Sequence, residues 1–234
     1  MHHFHYRNHE LHCEEIPVRD IARQVGTPLY VYSKKTILDD MRRIEAAFDG
    51  TPHVTYYAVK ANANAHILQM LAAEGLGADV ASRGELFLAL RAGFPPSRIT
   101  FSGVGKRDDE LVYALEHDIY AYYVESTQEI EVLNQIAGSM GKRARILLRV
   151  NLDIDAGGHA YVSTSLRHNK FGLPHAKALE VLRSARSLPH IDVRGIHSHV
   201  GSQITKAAIF VKAAEAVAGI VRDLREGGVP IEEL

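Results

Sequence analysis

The stretch "HVTYYAVKANANAHILQMLAAEGLGADVAS" (53–82) decides the fold. Its first part, 53–59, is apolar and β-branched or aromatic, which reads as a strand. Residues 65–75 carry apolar positions at helical spacing and stop at Gly75, a residue suited to end a helix. At 77–82 a second short apolar strand begins. One strand, one helix and one strand within 30 residues form a parallel βαβ unit.

The same alternation continues along the chain. Helices are predicted over 84–93, 108–118, from 127 to Gly138, 175–187 and 207–227, with strands over 98–103, 119–126, 143–151 and 190–200. The strands are near-continuous apolar runs, as strands covered on both faces must be. Six βα units run from Val54, and "PIEEL" (230–234) reads as the first residues of a seventh strand. A closed (β/α)8 barrel has eight. The expected fold is therefore α/β, an incomplete TIM-type barrel, and the chain reads as the front part of a longer protein. Ahead of it, "PLYVYS" (28–33) reads as a further strand. Ser33 then caps a helix over about 38–48 that has Ile44 on its apolar face. The division expected is an N-terminal arm over 1–25 and a truncated barrel domain over 26–234.

Composition excludes several classes. A net charge of −1 gives no field to draw in nucleic acid or an anionic membrane. No apolar run approaches the about 20 residues that span a bilayer, and no secretory leader opens the chain. Cys13 is the one cysteine, so no internal disulfide forms and a cytoplasmic location is expected. His2, His3, His5, His9 and His12 crowd the N-terminus beside Cys13. They lack the spacing of a metal site, so chance histidines on a solvated arm are the preferred reading and no metal is assigned.

In parallel barrels the functional residues sit at the C-terminal ends of the strands. Those positions here are Lys60, Asp79 with Ser82, Ser102–Gly103, Glu125, Arg149 with Asn151, and the run "HSHVGSQ" with His197, His199, Ser202 and Gln203. A lysine amine shielded from water becomes a nucleophile toward an aldehyde. Pyridoxal 5'-phosphate is the aldehyde cofactor that such a lysine holds. An imidazole can stack on its ring, and a Gly-Ser turn before a helix can hold its phosphate.

The motifs "YAVKAN", "ADVASRGEL", "ITFSGVGK", "YYVES", "RVNLDIDAGGHAYVSTSLRHNKFG" and "GIHSHVGSQI" follow one another in register. Together they resemble the bacterial diaminopimelate decarboxylases, a group of the pyridoxal-phosphate decarboxylases with an alanine-racemase-like barrel. The resemblance implies that Lys60 carries the cofactor as a Schiff base, that Asp79 lies near that lysine, that His199 stacks on the ring and that Ser202 binds the phosphate. It implies decarboxylation of meso-2,6-diaminopimelate to L-lysine by a homodimer acting on a small amino acid, with no nucleic-acid or membrane partner. The sequence departs from the family pattern at Arg83, Gly158–His159 and Ser165. The family's later phosphate loop, its acid for the pyridine nitrogen and its C-terminal β-domain have no counterpart in 1–234, so the chain by itself is expected to have little or no activity. Two alternatives stay open: a relative acting on ornithine, arginine or carboxynorspermidine, which would share Lys60 and His199, and a non-catalytic remnant that only binds the cofactor.

Overall fold

The computed structural model describes residues 2–152, 154, 171–202 and 204–234. It divides into two compact units, Met1–Thr55 and Tyr56–Leu234.

In the first unit, β1 (Phe4–Arg7), β2 (Glu10–Cys13) and β3 (Ile16–Pro17) form an antiparallel sheet, followed by α1 (Val18–Val25) and α2 (Lys34–Ala47). The histidine-rich start is thus folded rather than a loose solvated arm. His12 and Cys13 are buried, and His3 Nε2 meets Asp39 at 2.7 Å. Among the described residues no three metal-ligating side chains converge. Ser33 caps α2 as expected, accepting from the Thr36 amide at 3.0 Å, and Glu14 accepts from both Ser33 Oγ and the Lys35 amide at 2.8 Å. Two expectations fail here. Residues 28–33 join no sheet and leave Tyr30 and Tyr32 exposed, because β-propensity needs a neighbouring strand to act on. Ile44 is exposed as well; Leu38 and Met41 form the buried side of α2.

The second unit is the βα alternation. Its strands are β4 (Tyr56–Ala58), β5 (Gly77–Val80), β6 (Ile99–Phe101), β7 (Ala121–Val124), β8 (Ala144–Asn151) and β10 (Ile191–His197), adjacent in that order and all parallel. The two-residue β9 (Leu173–Pro174) adds to the end of β8. The connecting helices are α3 (Ala65–Ala73), α4 (Arg83–Ala92), α5 (Asp108–Glu116), α6 (Thr127–Ser139) and α7 (His175–Arg186), and α8 (Ala207–Glu226) follows β10. A parallel bridge from Gly195 to Glu233 marks the seventh strand position. Ala78, Val80, Ile99, Phe101, Ala121, Val124, Ile146 and Leu148 are fully buried. Each of the larger ones contributes about 1.5–3 kcal/mol by leaving water. Glycine is required at Gly195, where a Cβ would overlap the Glu233 carbonyl, and at Gly77, where it would strike the Tyr56 ring.

A repeated device fastens the strand ends together. In α4, α5 and α6 the third helical residue is a glutamate that reaches back to a backbone amide ahead of the helix. Glu85 accepts from Ala81 at 2.7 Å, Glu110 from Arg107 at 3.1 Å and Glu129 from Glu125 at 2.8 Å. Glu110 and Glu129 use their other oxygen on the preceding unit. Glu110 accepts from the Arg83 amide at 2.9 Å, and Glu129 from Lys106 Nζ at 2.6 Å. The Lys106 side chain is 1% exposed and also donates to the Gly103 and Tyr123 carbonyls at 2.6 and 2.7 Å. Lys106→Met leaves Glu129 and two carbonyls without their donor. It is expected to cost about 3–5 kcal/mol of unfolding free energy in urea titration. Adding Glu129→Gln should recover part of that loss, since the orphaned charge is then removed.

Candidate functional site

Strand register alone gathers the site. Ala58 pairs with Asp79, Asp79 with Thr100, Thr100 with Ala121, Tyr123 with Leu147, and Arg149 with His197. Partners in a parallel ladder share a face, and every second residue returns to it. Asp79, Thr100, Tyr123, Arg149 and His197 therefore share one side of the sheet, and Lys60, Ser102, Glu125 and His199 follow just past the strand ends. A cleft of about 230 Å³ opens there, lined among others by Lys60, Asp79, Ser102, Arg149, His197 and His199.

Lys60 sits in a single turn of 3-10 helix (Val59–Ala61) that ends β4. The sequence leads one to expect a shielded amine, but Lys60 is exposed. Its strand is the edge of the described sheet, so neighbours flank it on the β5 side alone. Asp79 is half-buried on β5, and both of its oxygens are engaged. Thr100 Oγ1 donates to one at 3.1 Å and Ser102 Oγ to the other at 3.0 Å. Burial pushes the Asp79 carboxyl above the usual aspartate range, while those two hydroxyls and the Lys60 charge pull it back.

On the opposite side, Arg149 Nη1 meets Glu125 Oε1 at 2.8 Å, with side chains 11% and 4% exposed. The guanidinium also lies 5.5 Å from the centre of the Phe171 ring. Glu125 and Arg149 stand at strand ends that the sequence marked, yet nothing in the sequence announced that they pair. The signal was only their position just past the apolar part of β7 and of β8. His197 stacks on Tyr123, with ring centres 4.2 Å apart and planes within 7°. Burial first, then Arg149, His199 and Lys106, push His197 down to about 3, so its ring is neutral. Burial, Arg149 and Lys60 also lower His199.

Of the four expected site residues, Lys60, Asp79 and His199 come together and Ser202 does not. Ser202 is exposed and is absent from the cleft lining. Helix α8 begins only at Ala207, capped by Lys206, so the Gly-Ser turn is not at its N-terminus and receives no help from the helix dipole. Gln203, Gly158–His159, Ser165 and most of the 149–172 motif lie outside the described residues.

The arrangement suits an aromatic aldehyde cofactor. It offers an accessible primary amine, a carboxylate close to it, neutral flat imidazoles and a guanidinium. Two buried polar atoms, Glu125 Oε2 and His197 Nδ1, have no hydrogen-bond partner among the described residues. Residues 34–234 match the pyridoxal-dependent decarboxylases, pyridoxal binding domain. The chain belongs to that family, and its cofactor is pyridoxal phosphate. It is 43% identical over 235 residues to the diaminopimelate decarboxylase of Vibrio cholerae, an alignment covering all of this chain and 56% of that one. The crystal structure of Helicobacter pylori diaminopimelate decarboxylase complexed with L-lysine is similar at a TM-score of 0.88 and 38% identity, over 92% of this chain and 54% of that one. The arginine decarboxylase of Paramecium bursaria Chlorella virus is more distant, with a TM-score of 0.77 and 25% identity over 92% and 55%. The chain spans about half the length of the curated relatives it matches. Among the described residues no helix is long and apolar enough to cross a membrane.

The state of His197 sets a pH dependence. A free histidine titrates near 6.5, while His197 does so at about 3. Between those values the unfolded chain binds a proton that the folded chain does not. The stability linked to this ring is complete above about pH 6.5 and declines as pH falls toward 3. His197→Phe keeps a flat ring on Tyr123 and has no proton to bind. Its thermal midpoint should fall less than the parent's between about pH 7 and pH 5, as followed by circular dichroism.

Proposed function

We propose that the protein decarboxylates meso-2,6-diaminopimelate to L-lysine, and that this chain supplies the lysine-bearing wall of the site. One observation carries the assignment: Lys60, Asp79 and His199 line one cleft at the C-terminal ends of parallel strands. Bound there, pyridoxal phosphate supplies an electron sink for the carbanion left as carbon dioxide departs. Lys60 would hold the cofactor through its amine. Asp79 would provide the negative charge that orients the amine. His199, which burial, Arg149 and Lys60 shift toward the neutral form, would offer its flat ring to the pyridine. Ser202, three residues further along, offers a hydroxyl for the phosphate. Arg149, tied to Glu125, keeps a fixed positive charge beside the reacting region.

The substrate reading is supported by the higher identity to diaminopimelate decarboxylases than to the viral arginine decarboxylase. It is also supported by L-lysine bound in the H. pylori structure. A homodimer in the cytoplasm completes the proposal, as the resemblance of the motifs implies.

Incubating the chain with pyridoxal phosphate, reducing with borohydride and mapping peptides should give a pyridoxyl group on Lys60, and Lys60→Ala should give none. Equal incorporation in Lys60→Ala overturns the lysine assignment. Full-length protein should release lysine from meso-diaminopimelate. Carbon dioxide released from ornithine or arginine instead overturns the substrate.

A further inference from the structure

The Asp79 carboxylate has more support than a neighbouring amine requires. Its strand partner in the β5–β6 ladder is Thr100, and Ser102 directly follows β6, its amide donating to the Val80 carbonyl at 2.8 Å. Each hydroxyl takes one carboxylate oxygen, at 3.1 and 3.0 Å. Thr100 is fully buried, so its single proton has no water to serve. The two hydroxyls therefore hold both oxygens of one carboxylate. Tyr123 stands on the same side of the neighbouring strand, with His197 stacked flat on its ring.

We infer that Thr100 and Ser102 are positioning residues whose hydroxyls hold Asp79 as a fixed, ionised partner for the Lys60 amine. This rests on the reading of Lys60 as the cofactor-bearing lysine and names the groups that prepare its counter-charge. The physical need is plain. Burial works against the charge on Asp79, and Glu85 on α4 adds repulsion. Lys60, from the turn after β4, and the two hydroxyls work in its favour. Tyr123 on β7 is the remaining titratable group that feels Asp79, and the carboxylate helps keep that phenol protonated. Lys60 stands at the sheet edge and is exposed, so it cannot hold Asp79 in one orientation by itself. Two short-range donors, one on buried β6 and one just past its end, can.

The test is a carbon-13 NMR titration of the cofactor-free chain with labelled aspartate carboxyls, the Asp79 signal being assigned by its loss in Asp79→Asn. Thr100→Val and Ser102→Ala should each move the Asp79 midpoint upward by about one to two pH units, and the double variant further. Thr100→Ser keeps the hydroxyl and should restore the parental midpoint, which a purely packing role for Thr100 would not do. Ser102→Ala alters a half-exposed position and so keeps the test open if Thr100→Val does not fold. Unmoved midpoints in both single variants overturn the inference. Borohydride trapping is the separate arm. Pyridoxyl incorporation at Lys60 should drop several-fold in the double variant and in Asp79→Asn alike. Midpoints that shift as stated while the parent traps nothing at Lys60 sink the cofactor assignment and leave the hydroxyl pair standing.

Discussion

Parallel pairing in register is the constraint from which the rest of this structure follows. Once Ala58, Asp79 and Thr100 stand side by side, the two-residue repeat of a strand decides which later side chains reach the same surface. A one-residue slip of β6 against β5 would turn both hydroxyls into the helical layer and leave Asp79 unsatisfied. The glutamates at the starts of α4, α5 and α6 oppose such slips. Each fixes the place where its helix leaves the sheet, and two of them also bind the unit before. Lys106 extends this control inward. Its ammonium ties the loop after β6 to the end of β7 and to α6, just beneath the strand ends where the cleft lies.

Charge at the cleft is arranged so that each acid has a donor close by. Glu125 has Arg149, Glu129 has Lys106, and Asp79 has two hydroxyls with Lys60 nearby. Burial is the first cause that lowers both histidines, and the neighbouring cations lower them further, so the neutral form is favoured by the setting rather than by any property of the histidine itself. The same setting suits the flat stacking of His197 on Tyr123, since an uncharged ring loses far less on leaving water than a charged one.

Much of the fold could be read from the sequence, because buried parallel strands announce themselves as short apolar runs between amphipathic helices. The six strands of the second unit fall within a few residues of their expected places, and "PIEEL" does approach the sheet at Glu233. Failures occurred where structure depends on partners that sequence pattern does not encode. Residues 28–33 have strand chemistry but no ladder to join. The polar hairpin at 4–13 has a sheet partner but little apolar alternation to reveal it. At the site, Lys60, Asp79 and His199 were legible because each directly follows or ends an apolar strand. The pairing of Arg149 with Glu125 was not, since it joins side chains from neighbouring strands whose spacing in sequence carries no period. Ser202 lies outside the cleft lining, although a glycine-serine pair before a helix looks like an anion site. The four residues between Ser202 and α8 separate the turn from the helix's unpaired amides.

Exposure of Lys60 is the point at which sequence expectation and structure pull apart, and it bears on how the amine works. A lysine made reactive by desolvation needs walls on every side, and β4, as the edge of the described sheet, gives it few. What these residues themselves supply to the amine is placement. The turn Val59–Ala61 starts from a fully buried Val59, so the backbone under the lysine is anchored. Asp79 then biases the amine by charge, and the Thr100 and Ser102 hydroxyls fix Asp79 by geometry. Orientation passes in this way from the centre of the sheet to an amine at its edge. A covalent bond to the cofactor would then form from a narrow set of starting positions rather than from the whole range open to a surface lysine.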